Sequence, residues 1–387
     1  MPPDPIYLDH AATTPVRDDV FEAMRPFFGT RFGNPSSTHR WGREARAALD
    51  EARERVARCL GARSDEICFT SGGTEGDNLA ILGAWRAMRE KGRRAVVSSP
   101  IEHKAVLGAI HQAVHEGAEE RMIEVDHDGC VSIDSFDALV DDSVAVCSVM
   151  WVNNEIGTVQ PIPTLAEHAR VRGVLMHTDA VQAFGKIEID AARQQFDLLS
   201  VSGHKIGAPK GIGALFVRRG TPLEPLVHGG MQERARRPGT ENVANIIGFA
   251  RAAELAVAER EEECRRIESL RDRLESAILE RVPDAVVHGR NTTRAPHVLN
   301  VSVPGTDSES MLMALDLKGI ACSGGSACSS GSISPSHVLV AIGVSPELAG
   351  AAIRMSLGSL TTEESVSRVA EVFPALVQKA RQLSPAS

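Results

Sequence analysis

No stretch of this chain reaches the ~18 consecutive apolar residues that a membrane-spanning helix needs, so no span is expected. The seven cysteines are odd in number, scattered and without CxxC spacing. That pattern argues against a disulfide framework and against a zinc cage. The histidines at 10, 39, 177, 228, 288 and 337 lack paired spacing such as HExxH, and no metal site is expected. Excess positive charge is missing too. A formal net charge of −9 offers no broad basic surface to nucleic acid or anionic lipid, although Arg234, Arg236 and Arg237 could serve a small anion or a partner. The opening PPDPIYLDHAA has neither the basic segment nor the apolar run of a secretory signal. Together with the cysteine usage, this leads to an expected location in a reducing cytoplasm.

What is present is a 387-residue chain with 43% hydrophobic and 24% charged residues, ordinary values for a globular protein of two or three domains. Strand-like runs at 66–71, 95–99, 121–125, 144–152, 174–179, 198–202 and 213–218 alternate with helix-like stretches such as 75–90, 104–116 and 163–172. The alternation predicts a mostly parallel sheet covered by helices on both faces. The charged stretch 241–281 has helical periodicity and opposite charges four apart, and reads as one connecting helix. Strand-like 299–303 and 352–357, with helical segments near 308–317, 335–342 and 362–382, predict a smaller α/β domain. The expected division is a segment 1–15 packing on the small domain, a large domain 16–260, and a small domain 261–387. The Gly/Ser-rich SGGSACSSGSISPS at 323–336 reads as a mobile loop.

Three segments carry candidate chemistry. In SVSGHKIGAPKGIGAL a strand ends at Ser202 and turns sharply into Lys205, at the kind of strand end where open α/β sheets bind ligands. A lysine there can form a Schiff base if its surroundings favour the neutral amine; it can equally be a surface lysine beside a turn. In HTDAVQAFGK, Asp179 closes a strand and could pair with a pyridinium nitrogen or simply cap a helix. FTSGGTEGDNLAI is a strand, a glycine turn and a helix start, suited to a phosphate. It is not a Walker A loop, because no lysine follows the glycines.

Taken in order, these and other segments resemble the pyridoxal-phosphate (PLP)-dependent cysteine desulfurases of the NifS/IscS type within the class-V aminotransferases. The likeness runs through YLDHAATTPV (7–16), GNPSSTH (33–39), FTSGGTEGDNLAI (69–81), EHKAV (102–106), VNNEIGTVQPI (152–162), HTDAVQAFGKI (177–187), SGHKIGAPKGIGAL (202–215), the spaced HGG, QER, R and GTEN of 228–242, and GSACSSGSISPSHVL (325–339). It implies an α/β fold of PLP fold type I, aspartate-aminotransferase-like. It implies Lys205 as the Schiff-base lysine, Asp179 on the pyridine nitrogen, His103 on the ring face moving protons, and Gln182 on the ring oxygen. Gly73, Thr74, Ser202 and His204 would cradle the phosphate, with Thr240 lent by a partner subunit, hence a homodimer. Asn154 and Arg354 would fix the substrate carboxylate, a task for which Arg has the better fork.

The implied reaction turns L-cysteine into L-alanine and leaves a persulfide on Cys328, which must be accessible and readily deprotonated, for transfer to an acceptor or scaffold protein. Direct nucleic-acid or membrane contact is not expected. Cys322, absent from many relatives, reads either as a strand cysteine or as a second thiol that relays sulfur or bridges to Cys328. Two other functions fit parts of the pattern: a selenocysteine lyase or other PLP lyase or aminotransferase of the same fold, which would not need Cys328, and a vestigial sulfur-delivery scaffold, which should lack the cofactor residues.

Overall fold

The computed structural model describes residues 4–324 and 335–383. Its larger sheet has seven strands in the order Ile67–Thr70, Gly213–Val217, Leu198–Ser202, Leu175–Asp179, Val144–Ser148, Ala95–Ser98, Glu119–Met122. The last five run parallel, and Gly213–Val217 is antiparallel to both of its neighbours. Ala95–Ser98, Val144–Ser148, Leu198–Ser202 and Gly213–Val217 are buried along their whole length, as expected when helices cover both faces. Neighbouring residues divide between two cores. Val97, Cys147, Leu199 and Phe216 face one, and Val96, Val146, Leu198 and Leu215 face the other, the period-two signature of a strand. Helices Arg40–Cys59 and Val243–Ala258 close the first face; Gly73–Arg89 and Lys104–His115 close the second.

A second, four-stranded antiparallel sheet joins Ser323–Gly324, Ala352–Ser356, Val298–Ser302 and Val286–Val287. Helices Arg260–Arg281, Ser308–Asp316 and Glu363–Leu383 pack on it around Leu274, Leu299, Met355 and Phe373. The N-terminal Ile6–Tyr7 pairs in parallel with Ile320–Ala321, and Ile6 and Leu8 sit in this second core. From there the chain crosses to the large sheet, where Thr14 N–H donates to the His204 carbonyl at 2.9 Å. No helix among the described residues is long and apolar enough to cross a membrane.

The stretch 241–281 is two helices, not one. Val243–Ala258 belongs to the large core and Arg260–Arg281 to the small one, with the break at Glu259. Arg17 clamps that residue through a two-pronged ion pair of 2.6 and 2.8 Å. No Gly or Pro marks the break in the sequence, so charge and apolar periodicity pass through it unaltered. Two helices, Asp18–Phe28 and Arg40–Cys59, also escaped the strand-centred reading of the sequence.

Candidate active site

The buried strand Leu198–Ser202 runs into a single 3-10 turn, Gly203–Lys205. Gly203 permits the turn because a Cβ there would stand 2.9 Å from Ile212 Cγ2. Lys205 is thereby thrown off the strand end, where its amine donates to the carbonyls of Ala11 at 2.5 Å and Ala12 at 2.7 Å. Burial, seconded by the positive charges of Arg354 and Lys186, pulls its pKa down to about 8 against the opposing pull of Asp179 and Asp9. A large fraction of neutral amine is therefore present near pH 8.

Asp179 ends the adjacent strand and is 5% exposed. Its carboxylate accepts from Val181 N–H at 2.9 Å, and burial raises its pKa despite His103 and Lys205 nearby. Asp77, on helix Gly73–Arg89, was not singled out from the sequence. It is raised well above the usual carboxyl range by burial and by the neighbouring Asp179 charge, and its Oδ1 has no hydrogen-bond partner among the described residues. One ligand atom from each of Asp77, His103 and Asp179 lies within 4.8 Å of the others. In low-dielectric surroundings both carboxylates cannot ionise unless a cation joins them.

The helix Gly73–Arg89 points its N-terminus into the same space. Gly72, at φ 153° and ψ −174°, adopts a backbone shape that effectively only glycine takes. Gly73 lies so close to Val181 that a Cβ would be 2.7 Å from Val181 Cγ2. Thr74, Ser202 and His204 stand around this end. His204 Nδ1 is 3.1 Å from Thr13 Oγ1, and burial lowers its pKa to about 4, so the ring is neutral. His103 caps helix Lys104–His115, its Nδ1 accepting from Ala105 N–H at 3.1 Å.

Arg354 is 1% exposed. It donates through Nη1 to the Asn154 carbonyl at 2.8 Å and through Nη2 to Asp9 Oδ1 at 2.9 Å, while its buried Nε has no partner among the described residues. The structure thus brings Gly73, Thr74, His103, Asn154, Asp179, Gln182, Ser202, His204, Lys205 and Arg354 to one cavity of about 360 Å³. Thr240 is not among them; it is exposed and borders a separate recess with Arg237 and Gly239. Cys328 lies outside the described residues. The six described cysteines are free thiols. Cys322 is half-buried, its pKa pushed to about 12 chiefly by burial, with Asp9 and Asp316 adding to it. That environment gives little thiolate at neutral pH.

Sequence reading also missed Glu155 and Glu102. Both are buried carboxyls raised chiefly by burial, to about 7 and about 8. Glu155 lines the cavity and accepts from Ser336 Oγ at 2.5 Å. Glu102 accepts from Ser99 Oγ at 2.5 Å and from Met150 N–H at 2.9 Å. Both lie in segments that carry the family likeness, EHKAV and VNNEIGTVQPI, but residue spacing alone does not separate them from solvent-facing acids.

Residues 6–369 match the family model for class-V aminotransferases. The chain is 46% identical to a cysteine desulfurase IscS of Dictyoglomus turgidum over 98% of its length and 96% of that protein's. It is 46% identical to the cysteine desulfurase NifS of Azotobacter vinelandii, over 98% and 94% of the two chains. Among solved structures, a NifS-like protein superposes with a TM-score of 0.88 at 36% identity, covering 98% of this chain and 99% of that one. DndA from Streptomyces lividans superposes at 0.78 with 36% identity, over 91% and 99%. The chain belongs to the class-V aminotransferase family and has the α/β fold of its PLP enzymes.

Proposed function

We propose that this protein is a cysteine desulfurase, holding PLP on Lys205 and moving the sulfur of L-cysteine to Cys328 with release of L-alanine. The observation that carries this reading is the pairing, within one cavity, of an amine held near neutrality with a buried, proton-hungry carboxylate, Asp179. The residues fit the cofactor. A buried acid pair wants a cation, which a pyridinium nitrogen provides. The glycine-walled helix end at Gly73, with Thr74, Ser202 and neutral His204, offers donors for a phosphate, and Gln182 can donate to a ring oxygen. When bound, the cofactor supplies an electron sink beside the substrate Cα.

The protein's own groups do the rest. Arg354 and Asn154 hold the substrate carboxylate. Lys205 Nζ, once freed, removes the Cα proton and can return it, with His103 beside it to share the transfer. The Cys328 thiolate forms an S–S bond to the substrate sulfur as the Cβ–S bond breaks, and protonation of Cβ completes alanine. The exposed Thr240, away from its own cavity, supports a homodimer in which it serves the neighbouring site. The persulfide would pass to an acceptor protein, and six unpaired thiols suit a reducing cytoplasm. The test is to add L-cysteine to purified protein and follow alanine, Cys328 persulfide by mass spectrometry, and the visible band. Alanine without persulfide would leave a lyase of the same fold, and no visible band would end the reading.

A further inference from the structure

His297 stands behind Gln182, outside the cavity lining, and is 1% exposed. Its Nε2 is 3.0 Å from Gln182 Oε1, while Gln182 Nε2 donates to the Ala11 carbonyl at 2.9 Å. That carbonyl can only accept, so the atom facing it must be the amide nitrogen. The oxygen therefore points at His297, whose Nε2 must carry hydrogen. The other ring nitrogen, Nδ1, has no partner among the described residues, and the tautomer with hydrogen on Nε2 leaves there an unused acceptor instead of a buried, unmatched N–H. Burial first, then Lys186 and Arg354, hold the ring well below the usual histidine pKa, so it has one hydrogen to give.

We propose that His297 is a positioning residue for the cofactor: its Nε2–H fixes the amide of Gln182 so that the second N–H of that amide faces the cavity and the ring oxygen. A reversed amide would turn a carbonyl oxygen on that oxygen instead. The Ala11 carbonyl holds the amide nitrogen from one side, and His297 holds the amide oxygen from the other. Without His297, Gln182 Oε1 is left buried with no donor, and the side chain is free to swing away from the ring oxygen to find one.

This inference rests on the PLP reading above, and its test separates the two. A hydrogen bond donated to the ring oxygen draws electron density from the Lys205 linkage and lowers the pH at which its visible band loses a proton. In His297→Phe holoenzyme that midpoint should rise by about one pH unit, tenfold in proton affinity. His297→Asn, which keeps a donor, should return it to within about 0.3 unit, and Gln182→Ala should match His297→Phe with no further shift when combined. An unmoved midpoint in folded His297→Phe overturns the inference, as does a shift that His297→Asn fails to reverse. Should His297→Phe not fold, a neutron structure of the wild-type holoenzyme decides. Deuterium on His297 Nε2 supports the assignment, and deuterium on Nδ1 alone overturns it. Absence of any visible band in the wild type sinks the cofactor reading instead.

Discussion

The Arg354 guanidinium meets Asp9 Oδ1 at 2.9 Å, joining a strand near the C-terminus to a segment near the N-terminus 345 residues away. Asp9 and the Asn154 carbonyl together orient a buried guanidinium in the cavity, suited to a substrate carboxylate. Arg354→Lys keeps the charge but loses the fork. The expected result is a KM for L-cysteine about 10–100-fold higher, with a smaller effect on kcat, in steady-state alanine assays. An unchanged KM would remove Arg354 from substrate binding.

Lys205→Ala should abolish the covalent hold on the cofactor and lower alanine formation by about 10²–10⁴-fold. Borohydride treatment followed by peptide mass spectrometry checks the attachment. Label on any other lysine would move the assignment.

Cys328→Ser should leave the visible spectrum intact while ending persulfide formation and desulfuration of cysteine. Full alanine production in that variant would instead favour a lyase that releases sulfur directly, as a selenocysteine lyase would release selenium.

Gly73→Ala opposes two effects. Alanine is ordinarily preferred in a helix by roughly 0.5–1 kcal/mol, but its Cβ would stand 2.7 Å from Val181 Cγ2. Relieving such a clash costs about 1–3 kcal/mol, so the clash wins. The variant should retain less cofactor after dialysis, read from the visible absorbance per subunit. Wild-type retention would show that the helix end can shift without loss.

Glu102 gives a pH signature. Burial raises its carboxyl to about 8 from 4.5, so the folded state holds a proton that the unfolded chain releases. Its contribution to stability is full below pH 4.5 and is lost as pH rises through about 8. Glu102→Gln stays neutral throughout. Its stability relative to wild type should therefore improve between pH 5.5 and 8 by up to about 1.4 kcal/mol per unit. Urea unfolding at each pH measures this, whatever the offset caused by placing an amide against Met150 N–H. A constant difference would place the Glu102 titration below this range.

Sequence alone reached the sheet because its central strands are continuous apolar runs; Leu198–Ser202 and the turn after it were readable to the residue. The break at Glu259 was not, since it reflects a change of packing partner and not of local preference. The same holds within the site. Lys205 and Asp179 sit at strand ends that patterning can find. Asp77, Asp9, Glu155 and His297 matter through burial and neighbours supplied by distant segments, which no local spacing encodes. The pattern showed Cys328 only as a thiol in a Gly/Ser stretch, and its persulfide role came from the family likeness of 325–339.

The Ala11 and Ala12 carbonyls form part of the wall around Lys205, yet the segment carrying them is anchored at Ile320–Ala321 and Ser356. During synthesis on the ribosome the early end of this wall can meet the large domain through Thr14 and His204, but its other anchor is complete only after residue 356 has been made.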